Sequence, residues 1–215
     1  MKKVTFDRKQ HVYKNDAFEE LIKDALRFFS GTPVHEMPPP ESFIGAGVYA
    51  LYYTGKNSLY KKYAELNRLA YAAPIYVGKA VPKGWRQART ANTETTKTKE
   101  LNMRLNQHAR NIDQVSGLTK DEFFCRFVIF EFASSDMINT VEAALIKLHR
   151  PLWNSALDGF GNHDPGRGRY EQAKSDWDVT HNGRTFADKC KGKAREERAI
   201  LENIERHFRI IYAIP

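Results

Sequence analysis

The chain has 215 residues, of which 41% are hydrophobic and 12% aromatic, and its 34 Lys and Arg against 26 Asp and Glu give a formal net charge of +8. This composition excludes a disordered or low-complexity chain, and the length favours one decorated domain over two independent ones. The sequence lacks both an apolar run of the roughly 20 residues that span a membrane and a signal-peptide core, so we expect a cytoplasmic protein with no membrane partner.

The positive charge is concentrated in residues 41–115, which carry twelve basic and five acidic residues together with seven Tyr and one Trp. Residues 1–40 carry a net charge of +1, and residues 116–215 a net charge of zero. A local excess of positive charge favours a polyanionic partner, with nucleic acid first because phosphate contacts provide affinity independent of base sequence. Ribosomal and membrane-surface proteins share this property, so charge alone leaves the class open.

The N-terminal part is predicted to be a helix followed by an extended arm. Apolar residues recur at helical spacing over Asp16–Phe29, and Asn15 or Asp16 can cap the first turn. Pro33 and the prolines at 38–40 favour extended structure, so residues 30–42 are interpreted as a linker.

Residues 44–155 alternate short β-branched or aromatic runs with segments of helical periodicity. The predicted strands are 47–53, 74–78 and 123–132, and the predicted helices are 58–71, 100–112 and 139–149. Residues 80–99 are polar and lack periodicity, which indicates a basic surface loop.

The C-terminal part combines a long Gly- and Arg-rich segment with a final amphipathic helix over 194–209. Residues 155–193 have few apolar positions and are predicted to be irregular, with Asn162-His163-Asp164 a structural part of a loop instead of a metal site. Cys125 and Cys190 have neither metal-ligand spacing nor disulfide density, so both are expected to be reduced and zinc is not expected. The predicted divisions are an N-terminal arm (1–43), a core with insertions (44–155) and a C-terminal segment (156–215) packed on the same domain.

Six polar or aromatic residues of the core stand out by their order. Two predicted strands place a Tyr beside a Gly, in Gly47-Val48-Tyr49 and Tyr76-Val77-Gly78, and a later helix presents two side chains at i and i+4 on one side. The ordered set is Tyr49, Tyr76, Arg104, His108, Glu142 and Asn154. A P-loop, a nucleophile elbow, a HExxH helix and an EF-hand loop are missing from the sequence.

This ordered set resembles the GIY-YIG nuclease superfamily over residues 44–155. The resemblance implies an α/β (α+β) fold with a small three-stranded antiparallel sheet flanked by helices, here decorated by an inserted helix, a basic loop and terminal extensions. The family separates its two triplets by ten or eleven residues, whereas 26 intervene in this chain, and we attribute the excess to the helix near 58–71. The chain is most similar to the short type II restriction endonucleases, in particular the enzyme that reads the palindrome CCGCGG.

Hydrolysis of a phosphodiester requires a base for the water and positive charge for the phosphorane and the departing oxygen. Glu142, the single carboxylate of the set, can hold one Mg²⁺ per site, or Mn²⁺ in its place, with water and phosphate completing the octahedron. Arg104 supplies a planar cation for the scissile phosphate.

Tyr49 and His108 are rival candidates for the general base. The resemblance favours Tyr49, but a phenol with a pKa of about 10 is a poor base unless Lys79, Arg104 or the metal stabilises the phenolate, so His108 stays open. Tyr76 is expected to donate a hydrogen bond to a phosphate oxygen, and Asn154 to anchor the site through its amide.

The implied partner is double-stranded DNA, cut at a short palindrome to leave 5′-phosphate and 3′-hydroxyl ends. A two-fold target calls for a homodimer with one site per strand, and a GC-rich target favours Arg as the base-reading residue. The candidate DNA-binding residues are Lys79, Arg86, Arg89, Arg167, Arg169 and Arg184.

A restriction enzyme implies a cognate DNA methyltransferase in the host, though not as a physical partner. Two alternatives stay open at this point. One is a homing or repair endonuclease with the same core, and the other is a non-catalytic protein that binds nucleic acid through the basic block.

Overall fold

The computed structural model describes residues 6–82, 85 and 96–212. Within them, four strands form one antiparallel sheet: Val34–Glu36 (β1), Gly47–Tyr53 (β2), Tyr76–Ala80 (β3) and Phe123–Ile129 (β4). The helices are Asp16–Gly31 (α1), Lys61–Ala70 (α2), Glu100–Asp113 (α3), Ile138–His149 (α4), Leu152–Ser155 (α5), Asp176–Thr180 (α6) and Glu197–Tyr212 (α7). The strand order is β1-β4-β2-β3, so the fold is the predicted mixture of helices around a small antiparallel sheet.

The sheet has one strand more than the three that the sequence predicts. β1 lies in the segment interpreted as a linker, where Val34 pairs with Arg126 and Glu36 with Phe124 on β4. With three residues and no apolar alternation, β1 carries no strand signal of its own. It forms because the outer edge of β4 offers unpaired backbone groups.

β2 is the central strand, and all seven of its residues are buried. Successive side chains of a strand point to opposite faces of the sheet. Val48, Ala50 and Tyr52 pack in a cluster with residues of α1 and α4, such as Phe29 and Val141. The odd-numbered side chains from 49 to 53 pack on the other face with residues of α2, α3 and α7. Helices therefore cover both faces of the sheet, and α3 packs against β2 and β3 on the face that carries the Tyr49 side chain.

The predicted inserted helix is α2, between β2 and β3, where it accounts for the long spacing of the two triplets. Its buried Asn67 donates to the carbonyl oxygens of Tyr53 (3.1 Å) and Ala73 (2.9 Å) and accepts from the Ala73 amide (2.9 Å). One side chain thus fastens the end of β2 to the turn that leads into β3.

The C-terminal segment packs on the same core through Trp177 of α6 and Ile200 and Ile204 of α7. Residues 155–193 are less irregular than predicted, because they include the short helix α6, which packs Trp177 against the domain, whereas α7 is the predicted final helix. A buried Tyr–His pair joins the C-terminal segment to the core: the hydroxyl of Tyr60 is hydrogen-bonded to Nε2 of His181 and accepts from the indole of Trp153 (3.1 Å). Across the described residues, every helix falls short of the length and apolar character of a membrane span.

Candidate active site

The two glycine–tyrosine triplets lie side by side in the sheet. Tyr49 of β2 pairs across the strands with Gly78 of β3. A Cβ atom on Gly78 would lie 2.5 Å from the Tyr49 hydroxyl oxygen and 2.9 Å from the Tyr76 ring, and one on Gly47 would lie 1.9 Å from the carbonyl oxygen of Val128. The glycines are therefore required by close approach, and their small size lets the Tyr49 ring lie across the neighbouring strand.

Tyr49 and His108 form a hydrogen-bonded pair in which both side chains are fully buried. The Tyr49 hydroxyl oxygen lies 2.6 Å from Nε2 of His108. The His108 ring stacks on Phe160, with ring centroids 4.5 Å apart, and its Nδ1 has no hydrogen-bond partner among the described residues. The direction of this hydrogen bond follows the imidazole tautomer: the hydroxyl donates to Nε2 when the ring proton sits at Nδ1, and it accepts from Nε2–H in the other tautomer.

Burial keeps this pair uncharged at neutral pH. Desolvation raises the pKa of Tyr49 well above its usual range, with Tyr76 adding to the shift and Arg104 opposing it. Desolvation also lowers the pKa of His108 well below its usual range, and the positive charge of Arg104 adds to that shift. Phenol and neutral imidazole are thus the resting forms, and Arg104 is the cation placed to stabilise a phenolate.

Arg104 and Tyr76 complete this part of the site. The Tyr76 ring lies 6.2 Å from that of Tyr49 and 5.4 Å from that of His108. Burial raises the pKa of Tyr76, and Arg104 lowers it, so Tyr76 is a hydrogen-bond donor at neutral pH. Arg104 donates to the Gly161 carbonyl (2.7 Å), which belongs to the segment that follows the core.

Asn154 anchors the site without titrating. Its Oδ1 accepts from the Val77 amide and its Nδ2 donates to the Val77 carbonyl, both at 2.8 Å. Because β3 is an edge strand, the side-chain amide takes the place of a further strand and holds the second triplet in position. Through these two hydrogen bonds Asn154 fastens α5 to β3 at Val77.

Glu142 of α4 forms an ion pair with Lys79 of β3, in which Nζ of Lys79 donates to Oε2 of Glu142. Both side chains are largely buried. After burial and the effect of Arg104, the Glu142 carboxylate is a further influence on Tyr76, whose pKa it raises. Glu142 therefore lies close enough to act on the tyrosines, while Lys79 serves as its partner.

Glu142 is the one carboxylate of the ordered set, so other groups would have to complete a metal site there. Groups of three or more His, Cys, Asp and Glu that could hold a metal are absent from the part of the chain that the structure describes. Mg²⁺ is commonly held by one or two carboxylates together with water and substrate phosphate. Glu142, whose carboxylate already binds the Lys79 ammonium through Oε2, fits a Mg²⁺ site of this kind, in which water and the substrate phosphate supply the remaining ligands.

Of the other predicted DNA-binding residues, the structure reassigns one. Arg184 is fully buried, and its guanidinium donates to Asp178 (2.6 Å) and to the carbonyls of Phe160 and Gly159 (both 2.9 Å). It therefore stabilises the C-terminal segment and is not placed to read bases, an outcome that a composition-based reading of Arg cannot foresee. Arg167 and Arg169 are exposed on a short 3₁₀ turn, and Arg86 and Arg89 lie outside the described residues.

The chain matches a known family over most of its length. A family model described as the Eco29kI GIY-YIG domain, RE_Eco29kI, matches residues 41–208. A search of curated proteins gave no significant match. The matched range includes all six residues of the ordered set and most of the C-terminal segment, and it decides between the alternatives of homing, repair, binding and restriction. The chain belongs to the Eco29kI GIY-YIG family and is a site-specific restriction endonuclease, an enzyme that hydrolyses DNA.

Proposed function

We propose that this restriction endonuclease uses Mg²⁺ to hydrolyse both DNA strands at a short, GC-rich palindrome, leaving 5′-phosphate and 3′-hydroxyl ends. The observation that carries the proposal is the Tyr49–His108 hydrogen bond of 2.6 Å beside the guanidinium of Arg104. A proton acceptor and a phosphate-binding cation together are what attack of water on a phosphodiester requires. The GC-rich palindrome rests on the likeness to the CCGCGG-cutting enzyme.

A cavity of about 480 Å³ beside Arg104 supports phosphate binding. Its wall carries the cations Lys79, Arg104 and Arg110, together with one acidic residue, Glu100. A concave surface whose charged groups are three cations and one carboxylate concentrates phosphate groups near the site. Arg110, which lies six residues after Arg104 on α3, was not among the residues selected from the sequence.

The geometry favours a shared role for the two rival bases. In the tautomer with the ring proton at Nδ1, the Tyr49 hydroxyl donates to Nε2 of His108, so the phenol oxygen can take a proton from water while its own proton moves to the imidazole. The water oxygen then forms the new bond to phosphorus, and the bond from phosphorus to the 3′ oxygen breaks. In this relay Tyr49, whose pKa is raised by burial, need not ionise beforehand, but the proton ends on His108, whose pKa burial lowers, so the transfer requires the pair to be better solvated than in the free protein. Both side chains are buried in the free protein, so DNA binding has to admit the water.

Glu142 would hold the Mg²⁺, with Mn²⁺ as an alternative ion. When bound, the ion supplies positive charge to the phosphate and to the departing 3′ oxygen. Lys79 now neutralises this carboxylate, and release from the ion pair would free its ammonium to contact the phosphate. Arg104 binds the scissile phosphate, and Tyr76 donates to one of its oxygens.

One site per chain cuts one strand, so double-strand cleavage calls for a homodimer with its two sites on opposite strands. The restriction activity also implies a DNA methyltransferase in the same host that protects the target. Arg167 and Arg169 are the described, exposed candidates for base reading. Changing a base-reading Arg to Ala should weaken cognate binding by about 1–3 kcal/mol while non-specific binding barely changes.

The test is cleavage of a plasmid library by the wild type and the Glu142→Gln variant, followed by sequencing of the ends. We expect cleavage by the wild type with Mg²⁺ or Mn²⁺ but not with EDTA, and no cleavage by Glu142→Gln despite retained DNA affinity. Glu131→Gln is the matched control, since Glu131 is exposed. Full activity of Glu142→Gln would exclude its role as metal ligand, and nicks in one strand would exclude a paired cut by a dimer.

A further inference from the structure

Three acceptors surround the Arg104 guanidinium, and two of them belong to the segment after the core. Nη2 of Arg104 donates to the Gly161 carbonyl (2.7 Å), and Nη1 donates to Oε1 of Gln107 (2.8 Å). Nη1 also lies 2.6 Å from Nε2 of His163. A guanidinium has donors alone, so His163 has to accept at Nε2 with a lone pair. Acceptors in different directions fix the plane of the guanidinium.

Two donors face the ring of His163, which has one acceptor nitrogen in its neutral form. Its Nδ1 lies 2.8 Å from the amide nitrogen of Gln107, one turn from Arg104 on α3. Nε2 makes the shorter contact, 2.6 Å, to the charged donor Arg104, and charge-assisted hydrogen bonds are the stronger ones. Burial lowers the pKa of His163, and the positive charges of Arg104 and Arg184 lower it further. The imidazole is therefore neutral at neutral pH, and a neutral imidazole has one acceptor nitrogen for Arg104.

The backbone before His163 is built against the same site. Arg184 fastens the carbonyls of Gly159 and Phe160. A Cβ atom on Gly161 would lie 2.6 Å from the Tyr76 hydroxyl oxygen. The segment thus touches both the tyrosine and the arginine of the site through backbone atoms that a buried ion pair holds in place.

We propose that His163 is a positioning residue of the nuclease, which accepts a hydrogen bond from Arg104 and so orients the guanidinium toward the scissile phosphate. This inference rests on the phosphate-binding role proposed for Arg104. It makes the C-terminal segment part of the reaction site and not merely a base-reading extension. His163 acts through Arg104 and does not itself contact the reacting atoms.

The test compares His163→Ala, His163→Gln and Asp164→Ala in single-turnover cleavage and in DNA binding. His163→Ala should lower the cleavage rate roughly ten- to a hundredfold, the scale of a misplaced catalytic group, with less than about a twofold change in DNA affinity. His163→Gln should restore much of the rate, because its amide oxygen can accept from Arg104. Asp164 is the matched control: like His163 it is exposed, but its carboxylate accepts from Gly166 and Tyr170 within its own loop.

A double-mutant cycle with Arg104→Lys separates this inference from the proposed function. If His163 acts through Arg104, His163→Ala should cost little further rate in the Arg104→Lys background. Equal losses in His163→Ala and Asp164→Ala, additive losses in the cycle, or a loss of affinity without a loss of rate would each overturn the inference. A normal rate for Arg104→Lys would instead overturn the proposed phosphate clamp and the inference with it.

Discussion

The Tyr49–His108 pair has a structural counterpart in the same chain, which permits a controlled test of its chemistry. Tyr60 and His181 form a second buried pair, joined through the same atoms, Oη of the tyrosine and Nε2 of the histidine. Tyr49→Phe and Tyr60→Phe therefore remove the same group from similar surroundings. The two variants should differ in activity because only the first pair lies beside Arg104.

The size of each effect follows from the contacts that are lost. Tyr49→Phe removes the hydrogen-bond partner of Nε2 of His108, whose Nδ1 already lacks a partner among the described residues. An unsatisfied buried polar group costs about 1–3 kcal/mol. Tyr60→Phe leaves both His181 and the indole of Trp153 without their partner, so its loss of stability should be at least as large. The cleavage rate of Tyr49→Phe should fall by about a hundredfold or more, as expected for a general base, whereas that of Tyr60→Phe should stay near the wild-type rate.

Single-turnover cleavage at saturating enzyme measures the chemical step, and urea unfolding measures the free energy of unfolding. Equal rate losses in the two variants would show that packing, not proton transfer, accounts for the effect. Normal cleavage by Tyr49→Phe combined with inactive His108→Ala would make His108 the sole base.

Three further outcomes are expected. Arg184→Ala should lower the free energy of unfolding by about 3–5 kcal/mol, because it leaves Asp178 as an uncompensated buried charge, whereas exposed Arg167→Ala should change it by less than about 0.5 kcal/mol in the same urea titration. The free energy of unfolding should fall on acidification, because burial lowers the pKa of His181 to about 4 in the folded protein. The stabilisation from neutral His181 is complete above the unfolded pKa of about 6.5 and is lost as the pH falls toward 4, with about 2 kcal/mol lost by pH 5. His181→Gln should flatten the plot of unfolding free energy against pH in this range, and an unchanged slope would contradict the assignment. DNA affinity should decrease steeply with salt, since residues 41–115 carry twelve basic residues per chain, and a flat plot of log affinity against log salt would exclude the electrostatic footprint.

Most elements were predictable from the sequence because their local pattern agrees with their tertiary role. α1 starts at Asp16 with Asn15 as its cap, as the pattern indicates, and β2 and α4 follow from apolar runs with clear periodicity. The strand β1 was not predictable, since it depends on the free edge of β4 and not on its own three residues. The ordered set rests on the resemblance to a nuclease family, and the fold brings Tyr49, Tyr76, Arg104 and His108 of that set together.

The residues that reach the site from outside the core were beyond sequence reasoning. The Asn-His-Asp triplet predicts a structural loop at His163, because no local pattern indicates that its ring contacts Arg104, which lies 59 residues earlier in the chain. Arg184 is the opposite case: an Arg in a Gly-rich segment is expected to be exposed and free to contact DNA, but Trp177 and Asp178 enclose it in the folded protein. Contacts between distant segments, and not residue type, decide both cases.

The anchoring of β3 by Asn154 also bears on self-association. An edge strand with free amide and carbonyl groups is a template onto which another chain can add a strand, as in domain swapping and fibril growth. At Val77 those groups are occupied by a side-chain amide, and at the opposite edge β1 extends over three residues. Both edges of the sheet therefore offer few free backbone groups to a second chain, which disfavours aggregation by strand addition at high protein concentration. Any specific pairing of two copies is then expected to use side-chain surfaces outside the sheet edges.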